Sequence, residues 1–246
     1  MGKNWQEEYE RNREKFRCRF DLESYFSEKK IGDVEVDTLE IGEVNFPTGE
    51  ILACDPFIEL EEKKPFIQKI PAGKYPVIIS VVPSEEYGDR YACVKVEINK
   101  NKPVVYELAV LGNEEDMDGA GEDEFYGFGV DAGMGCVADK KTQEEYIKYW
   151  NKIAKEKDVD NSFDDIFSSL LEESAKKYPK YQCDYGDWVN WTIPGTDCNL
   201  PIFASGWGDG VYPSYFGYDE NGEVCGFYIH FINIELEYLE EEDELL

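Results

Sequence analysis

The chain has 246 residues, a hydrophobic content of 42% and a formal net charge of −29 from 54 acids against 25 Lys and Arg. That length favours one domain with a sizeable core, and the apolar fraction excludes a disordered chain. The charge repels phosphates, so direct nucleic-acid binding and attachment to an anionic membrane are not expected, whereas a basic protein partner is.

Residues Trp5 to Lys30 lack Gly and Pro and place Trp5, Tyr9, Phe16, Phe20 and Phe26 near helical spacing. This predicts an amphipathic N-terminal helix over residues 1–30. With no apolar core at the N-terminus, a signal peptide is not expected. From Gly32 the pattern alternates at Val34, Val36, Leu39, Ile41, Val44 and Phe46. Pro47 to Glu50 reads as a turn, and Ile51 to Cys54 as a strand. Val77 to Val82 (VIISVV), Tyr91 to Ile98 (YACVKVEI) and Val104 to Val110 (VVYELAV) predict three strands. They are expected to form a central antiparallel meander.

Asn113 to Glu124 holds seven acids and no base and reads as an exposed loop. Its Asp116-Met-Asp118-Gly lacks the further ligands of a calcium loop. Phe125 to Asp131 predicts another strand. Thr142 and Glu145 have capping-box spacing before a helix reaching about Lys157. Ser162 to Tyr178 predicts a second helix, ended by Pro179. Trp188 to Ile193 and Leu200 to Ser205 return to strand character. In the final hairpin, Asp219-Glu-Asn-Gly222 is the turn. Cys225, Phe227, Ile229 and Phe231 then share one face; Val224, Gly226, Tyr228 and His230 share the other. Both faces are apolar or aromatic, which predicts a central strand covered on both sides. An acidic tail from Glu235 to Glu244 closes the chain.

The predicted class is α+β, dominated by antiparallel sheet, as two packed sheets or one large twisted sheet. An N-terminal helix and two central helices accompany it. A single domain is expected over 1–246, with a β-rich half at 31–132, a helical pair at 140–178 and a second β-rich half at 187–240. Seven cysteines (18, 54, 93, 136, 183, 198 and 225) occur without any C-x-x-C. They read as reduced thiols in a cytoplasmic protein.

Four constellations carry possible chemistry. In Asp131-Ala-Gly133-Met-Gly-Cys136-Val-Ala-Asp139 two glycines lie between a strand and a helix. Backbone N–H groups there suit an anion, while Asp139 suits the start of the helix. Cys136 and His230, the only histidine, are the residue types of a thiol nucleophile and its base. A buried structural histidine is the alternative. Asp131, Asp139 and Asp209 beside glycines suit a divalent cation, or equally turns and caps; no cofactor is otherwise implied. Trp207-Gly-Asp209-Gly-Val-Tyr212 places a carboxylate between two aromatics that stack on a ligand or wedge the hairpin. A ligand site between this loop and the Asp131–Asp139 loop, containing Asp131, Gly133, Asp139, Trp207, Asp209 and Tyr212, is one functional reading. A protein-interaction module of immunity or antitoxin type, binding a basic partner, is the other. No complete catalytic motif is present.

The segments GKYPVIIS, FYGFGVDAGMGCVAD, SGWGDGVYPSYFGYDENGEV and FYIHF occur in an order that resembles the bacterial domain-of-unknown-function family 4241. The resemblance covers roughly Glu43 to Phe231. The family strand often ends in Asp-Phe where this chain has His230-Phe231, which weakens a catalytic role for His230. The resemblance implies a soluble bacterial domain and supplies no reaction, cofactor or catalytic residue.

Overall fold

A computed structural model describes residues 3–86, 88–121, 124–157 and 159–238. Fourteen strands form four antiparallel sheets among these residues. The acidic tail beyond Tyr238 lies outside them.

The largest sheet contains β3 (Asp37–Phe46), β5 (Gly73–Val82), β6 (Arg90–Glu97), β7 (Val105–Leu108), β13 (Ser214–Tyr218) and β14 (Val224–His230), in the order β3-β5-β6-β14-β13-β7. The expected strands are present, but the expected meander is not. The C-terminal hairpin inserts between β6 and β7, with Phe227 opposite Val96 and Tyr215 opposite Leu108. Burial explains the insertion. Val94, Val96, Phe227 and Phe216 are nearly solvent-free, and β14 is packed on both faces, with Tyr228 and His230 against Phe20, Tyr25 and Phe26 and with Phe227 against Phe66 and Phe216, while β6 and β13 pair both of its edges. The hairpin turn forms as predicted. Gly222 takes φ +76°, and Asp219 accepts the N–H groups of Asn221 and Glu223.

The second sheet has the order β10-β11-β9-β4, with β4 (Ile51–Cys54), β9 (Met134–Asp139), β10 (Trp188–Thr192) and β11 (Asn199–Ala204). Its two faces follow the period of two. Ile51, Ala53, Val137 and Phe203 join the core shared with the six-stranded sheet. Leu52, Cys54, Cys136, Leu200 and Ile202 face a separate cluster with Tyr146, Phe167 and Leu171. Those last three belong to α3 (Lys140–Lys157), to a π turn (Phe163–Phe167) and to α4 (Ser168–Lys177), into which the turn runs. The predicted second helix is thus present, with its first turn widened. The sheets are joined by amide side chains. Asn190 Nδ2 donates to the carbonyls of Ile41 and Glu43, and the Asn45 N–H donates to Asn199 Oδ1.

The predicted N-terminal helix is shorter than expected. α1 spans Lys3–Asn12, and a short α2 spans Ser24–Ser27. Between them the chain rounds the edge of β7, where the Cys18 N–H bonds the Tyr106 carbonyl at 3.1 Å. A continuous helix could not do so, because its own ladder consumes its N–H groups. Beyond the edge, Leu22 and Tyr25 are fully buried. Glu23 receives Lys95 Nζ at 2.8 Å and the Tyr228 hydroxyl at 2.7 Å. The buried Lys95 ammonium on β6 is thereby neutralised. Two small ribbons complete the described strands: β1 (Lys30–Ile31) with β2 (Val34–Glu35), and β8 (Phe128–Val130) with β12 (Gly210–Tyr212).

Candidate functional site

The β8–β12 ribbon brings the two glycine-rich loops together. Gly210 pairs with Val130 at the end of the ladder, so Asp209 and Asp131 follow at the next position on the two strands. A second link lies close by, where the Ser205 N–H bonds the Gly133 carbonyl at 3.1 Å. Ala204 also pairs with Met134. Asp131, Trp207, Asp209 and Val211 are exposed, with Trp207 at 50% and Val211 at 57%.

The Trp207–Tyr212 loop is held from within. The Ser205 and Tyr212 hydroxyls both donate to the Gly208 carbonyl, each at 2.8 Å. Gly206 and Gly208 take φ +62° and +98°, which a Cβ would strain. The Tyr212 ring is buried edge-on to Phe231, with centroids 4.9 Å apart. Its hydroxyl is pushed up by burial first and by Asp209 second, so it remains a protonated donor. Trp207 instead faces outward, with the Arg90 guanidinium 5.1 Å from its ring centroid and Tyr238 at 6.2 Å. The two aromatics therefore have different settings: Tyr212 wedges the ribbon and Trp207 is presented.

Asp139 does not share this surface. It is fully buried at the end of β9. One oxygen accepts the Thr48 and Gly49 N–H groups, each at 3.0 Å, and the other accepts the Lys141 N–H at 2.7 Å. The Thr48 hydroxyl bonds it as well. Asp139 thus ties the β3–β4 turn to the first turn of α3 and lies apart from the Asp131–Asp209 pair. The helix starts at Lys140, two residues before Thr142, so the expected capping box does not form. Among the described residues no group of three His, Cys, Asp or Glu is arranged to hold a metal. Asp131, Asp139 and Asp209 therefore do not form the three-carboxylate cation site considered from the sequence.

Cys136 and His230 are not brought together either. Cys136 lies under α3 and α4 with its sulfur 3.6 Å from that of Cys54, and both residues are fully buried. Burial, then the neighbouring thiol, pushes Cys54 well above the ordinary thiol range. His230 is on the six-stranded sheet opposite Cys93 and beneath the N-terminal segment. Its Nε2 is 3.3 Å from the Tyr25 hydroxyl, and the Phe20 and Tyr25 rings lie 6.3 and 5.4 Å away. Desolvation lowers His230 to about 4, so it is neutral at pH 7 in a buried setting. All seven cysteines are free thiols.

One residue that sequence reasoning passed over positions the exposed loop. Asp55, fully buried after β4, accepts the N–H groups of Asp131 and Ala132 at 3.0 and 2.8 Å on one oxygen and that of Phe57 at 2.9 Å on the other. Its signal was an Asp at a strand end before Pro, the Asx-turn pattern. The long-range half of its role has no local signature.

These features define a sheet-dominated α+β protein with a buried polar frame and one exposed acidic, aromatic ribbon. The model of a family described as a protein of unknown function (DUF4241) matches residues 44–229, and the chain belongs to that family. No curated protein and no solved structure matches the chain. No helix among the described residues is long and apolar enough to cross a membrane.

Proposed function

We propose that this chain is a protein-interaction module of the bacterial cytoplasm that captures a basic partner, in the manner of an immunity or antitoxin protein, through the β8–β12 ribbon. The observation that carries this reading is the exposed pair Asp131 and Asp209 at one end of a short ladder, flanked by exposed Trp207 and Val211. An aromatic anchor beside carboxylates suits a Lys- or Arg-bearing surface. The acidic surplus supplies long-range attraction. Several basic side chains are already paired internally, including Arg11 with Asp118, Lys95 with Glu23 and Lys180 with Asp37. They leave the surplus uncompensated. The same surplus argues against nucleic-acid and anionic-membrane partners.

Placement on rigid supports favours this reading over a ligand cleft between the loops. Asp55 fixes one loop and Tyr212 the other, so the carboxylates are held out to solvent. The test is co-purification with the basic product of an adjacent reading frame, followed by affinity measurement at low and high salt. Binding is expected to weaken steeply with salt. The Asp131→Lys/Asp209→Lys variant should lose at least about tenfold in affinity, equivalent to about 1.4 kcal/mol. A complex of unchanged affinity in that variant would remove the ribbon from the proposal. Failure to capture any protein at low salt would remove the proposal itself.

A further inference from the structure

Five arginines stand among 54 acids in this chain. Arg11 bonds Asp118, and Arg13 and Arg17 bond Glu107. Arg90, the first residue of β6, differs from these: among the described residues it bonds no carboxylate and no other acceptor. Asp89, its neighbour in sequence, is turned to the Ser84 N–H, which it accepts at 3.1 Å. Of the three Arg90 nitrogens only Nε is both buried and unpartnered. The two terminal nitrogens have no partner either, so at this half-buried residue they meet solvent.

The surroundings of Arg90 are built, and they belong to the ribbon. Its guanidinium carbon lies 5.1 Å from the centroid of the half-exposed Trp207 ring. The Phe231 and Ile232 N–H groups bond the Ala92 carbonyl at 2.9 and 3.0 Å, which ties the start of β6 to the chain just after β14. Gly206 packs on the same two residues, since a Cβ there would lie 3.0 Å from side-chain atoms of each. The Trp207 loop is thereby seated beside Arg90, and its inner bonds from Ser205 and Tyr212 hold its shape. Asp131 and Asp209 are exposed at the adjoining end of the ladder, yet neither bonds Arg90.

Support of the Trp207 ring alone does not call for an arginine with a free donor edge, because an aliphatic side chain packs on a ring face as well. A guanidinium over a ring keeps its N–H fork free in its own plane, the geometry that takes a carboxylate with two parallel bonds. A small free anion must approach a chain of net charge −29, whereas a carboxylate carried on a basic protein is drawn in with its carrier. Resting on the ribbon as the docking surface, we propose that Arg90 determines the specificity of that interface: it receives an Asp or Glu side chain of the basic partner, while Asp131 and Asp209 receive Lys or Arg side chains. The partner surface is then two-signed. A uniformly basic surface meets Arg90 as a repulsive contact, which lets an acidic chain select one basic protein over others.

The test uses the complex with the basic product of the adjacent reading frame, with poly-lysine as a control that has no side-chain carboxylate. Against a uniformly basic surface, replacing Arg90 by an acid removes a repulsion and tightens binding. A carboxylate contact predicts the opposite sign. Arg90→Glu, with its fold verified by circular dichroism, should bind the partner at least about tenfold more weakly than the parent does. It should bind poly-lysine no more weakly. Arg90→Lys keeps the charge without the fork and should retain part of the affinity. Among single acid-to-lysine variants of the partner, one should restore binding to Arg90→Glu. Unchanged or tighter binding of the partner by Arg90→Glu, an equal loss towards poly-lysine, or the lack of any restoring variant overturns this inference and leaves the ribbon standing. If Asp131→Lys/Asp209→Lys binds the partner as the parent does, or no partner is captured, the ribbon reading fails and this inference falls with it.

Discussion

His230 is a base held neutral by burial, with its Nε2 against the Tyr25 hydroxyl. Tyr25 in turn donates to Glu235 at 2.8 Å and accepts the Ile234 N–H at 3.1 Å. Cys93, directly across the ladder, is pushed well above the ordinary thiol range by burial, so no anion stands ready to hold an imidazolium on that side. The folded value of about 4 lies below the ordinary 6.5. Between those values the unfolded chain takes up a proton that the folded chain excludes. The associated stability is complete above pH 6.5 and is lost as pH falls towards about 4. A shift of this size corresponds to about 3 kcal/mol. His230→Phe should therefore be less acid-sensitive than the parent across that window, as measured by urea denaturation at stepped pH. Parallel pH profiles for the two proteins would refute the assignment.

At the scale of elements, buried carboxylates act as joints between segments distant in sequence. Asp139 joins the Thr48–Gly49 turn to α3, and Asp55 joins the end of β4 to the β8–β9 loop. The turn that Asp139 holds has no room for a side chain, since a Cβ on Gly49 would lie 2.0 Å from the Ile70 carbonyl oxygen. Asp139→Ala leaves the Thr48, Gly49 and Lys141 N–H groups without their acceptor. It should cost about 3 kcal/mol or more. Asp209→Asn, on an exposed loop, should change stability by less than about 0.5 kcal/mol. Equal costs in denaturant titrations would show that the two aspartates do not have the separate roles described.

The same contrast marks what could be read from the sequence. Alternation located β4, β10 and β14, and Asn221-Gly222 gave the final turn, because these signals are local. The approach of the Asp131 and Trp207 loops was also anticipated, from glycines and aspartates at two places in the chain. The depth of Asp139 was not settled, because a carboxylate serving a turn and one serving a ligand look alike in sequence. α1 ends at Asn12 although apolar spacing continues to Phe26. That periodicity arises from residues packing on opposite sides of the β7 edge, not from one helix face.

At the scale of the whole molecule, one core runs between the two sheets and a second lies beneath α3 and α4. The first includes Trp5 and Ile234, so residues near both ends of the described chain contribute to it. The order β6-β14-β13-β7 adds a constraint that the strand list alone does not show. Neighbours in this sheet are separated by more than a hundred residues, as in the pairing of Val96 with Phe227 and of Leu108 with Tyr215. Such long closures slow folding. Refolding is expected to be slow for a domain of this length, and a chain ending before Ser214 should aggregate, as followed by light scattering after dilution from denaturant. A soluble, cooperatively unfolding truncation would contradict this.

The insertion of the final hairpin also bears on synthesis. While the chain is emerging from the ribosome, β6 and β7 are already made, yet the strands that belong between them are not. Each has an open edge during that interval, and β6 is rich in residues suited to intermolecular pairing. Until β14 has left the exit tunnel the edges of β6 and β7 that the hairpin later joins have no partner within the sheet, so the central sheet closes only after its last strand is made.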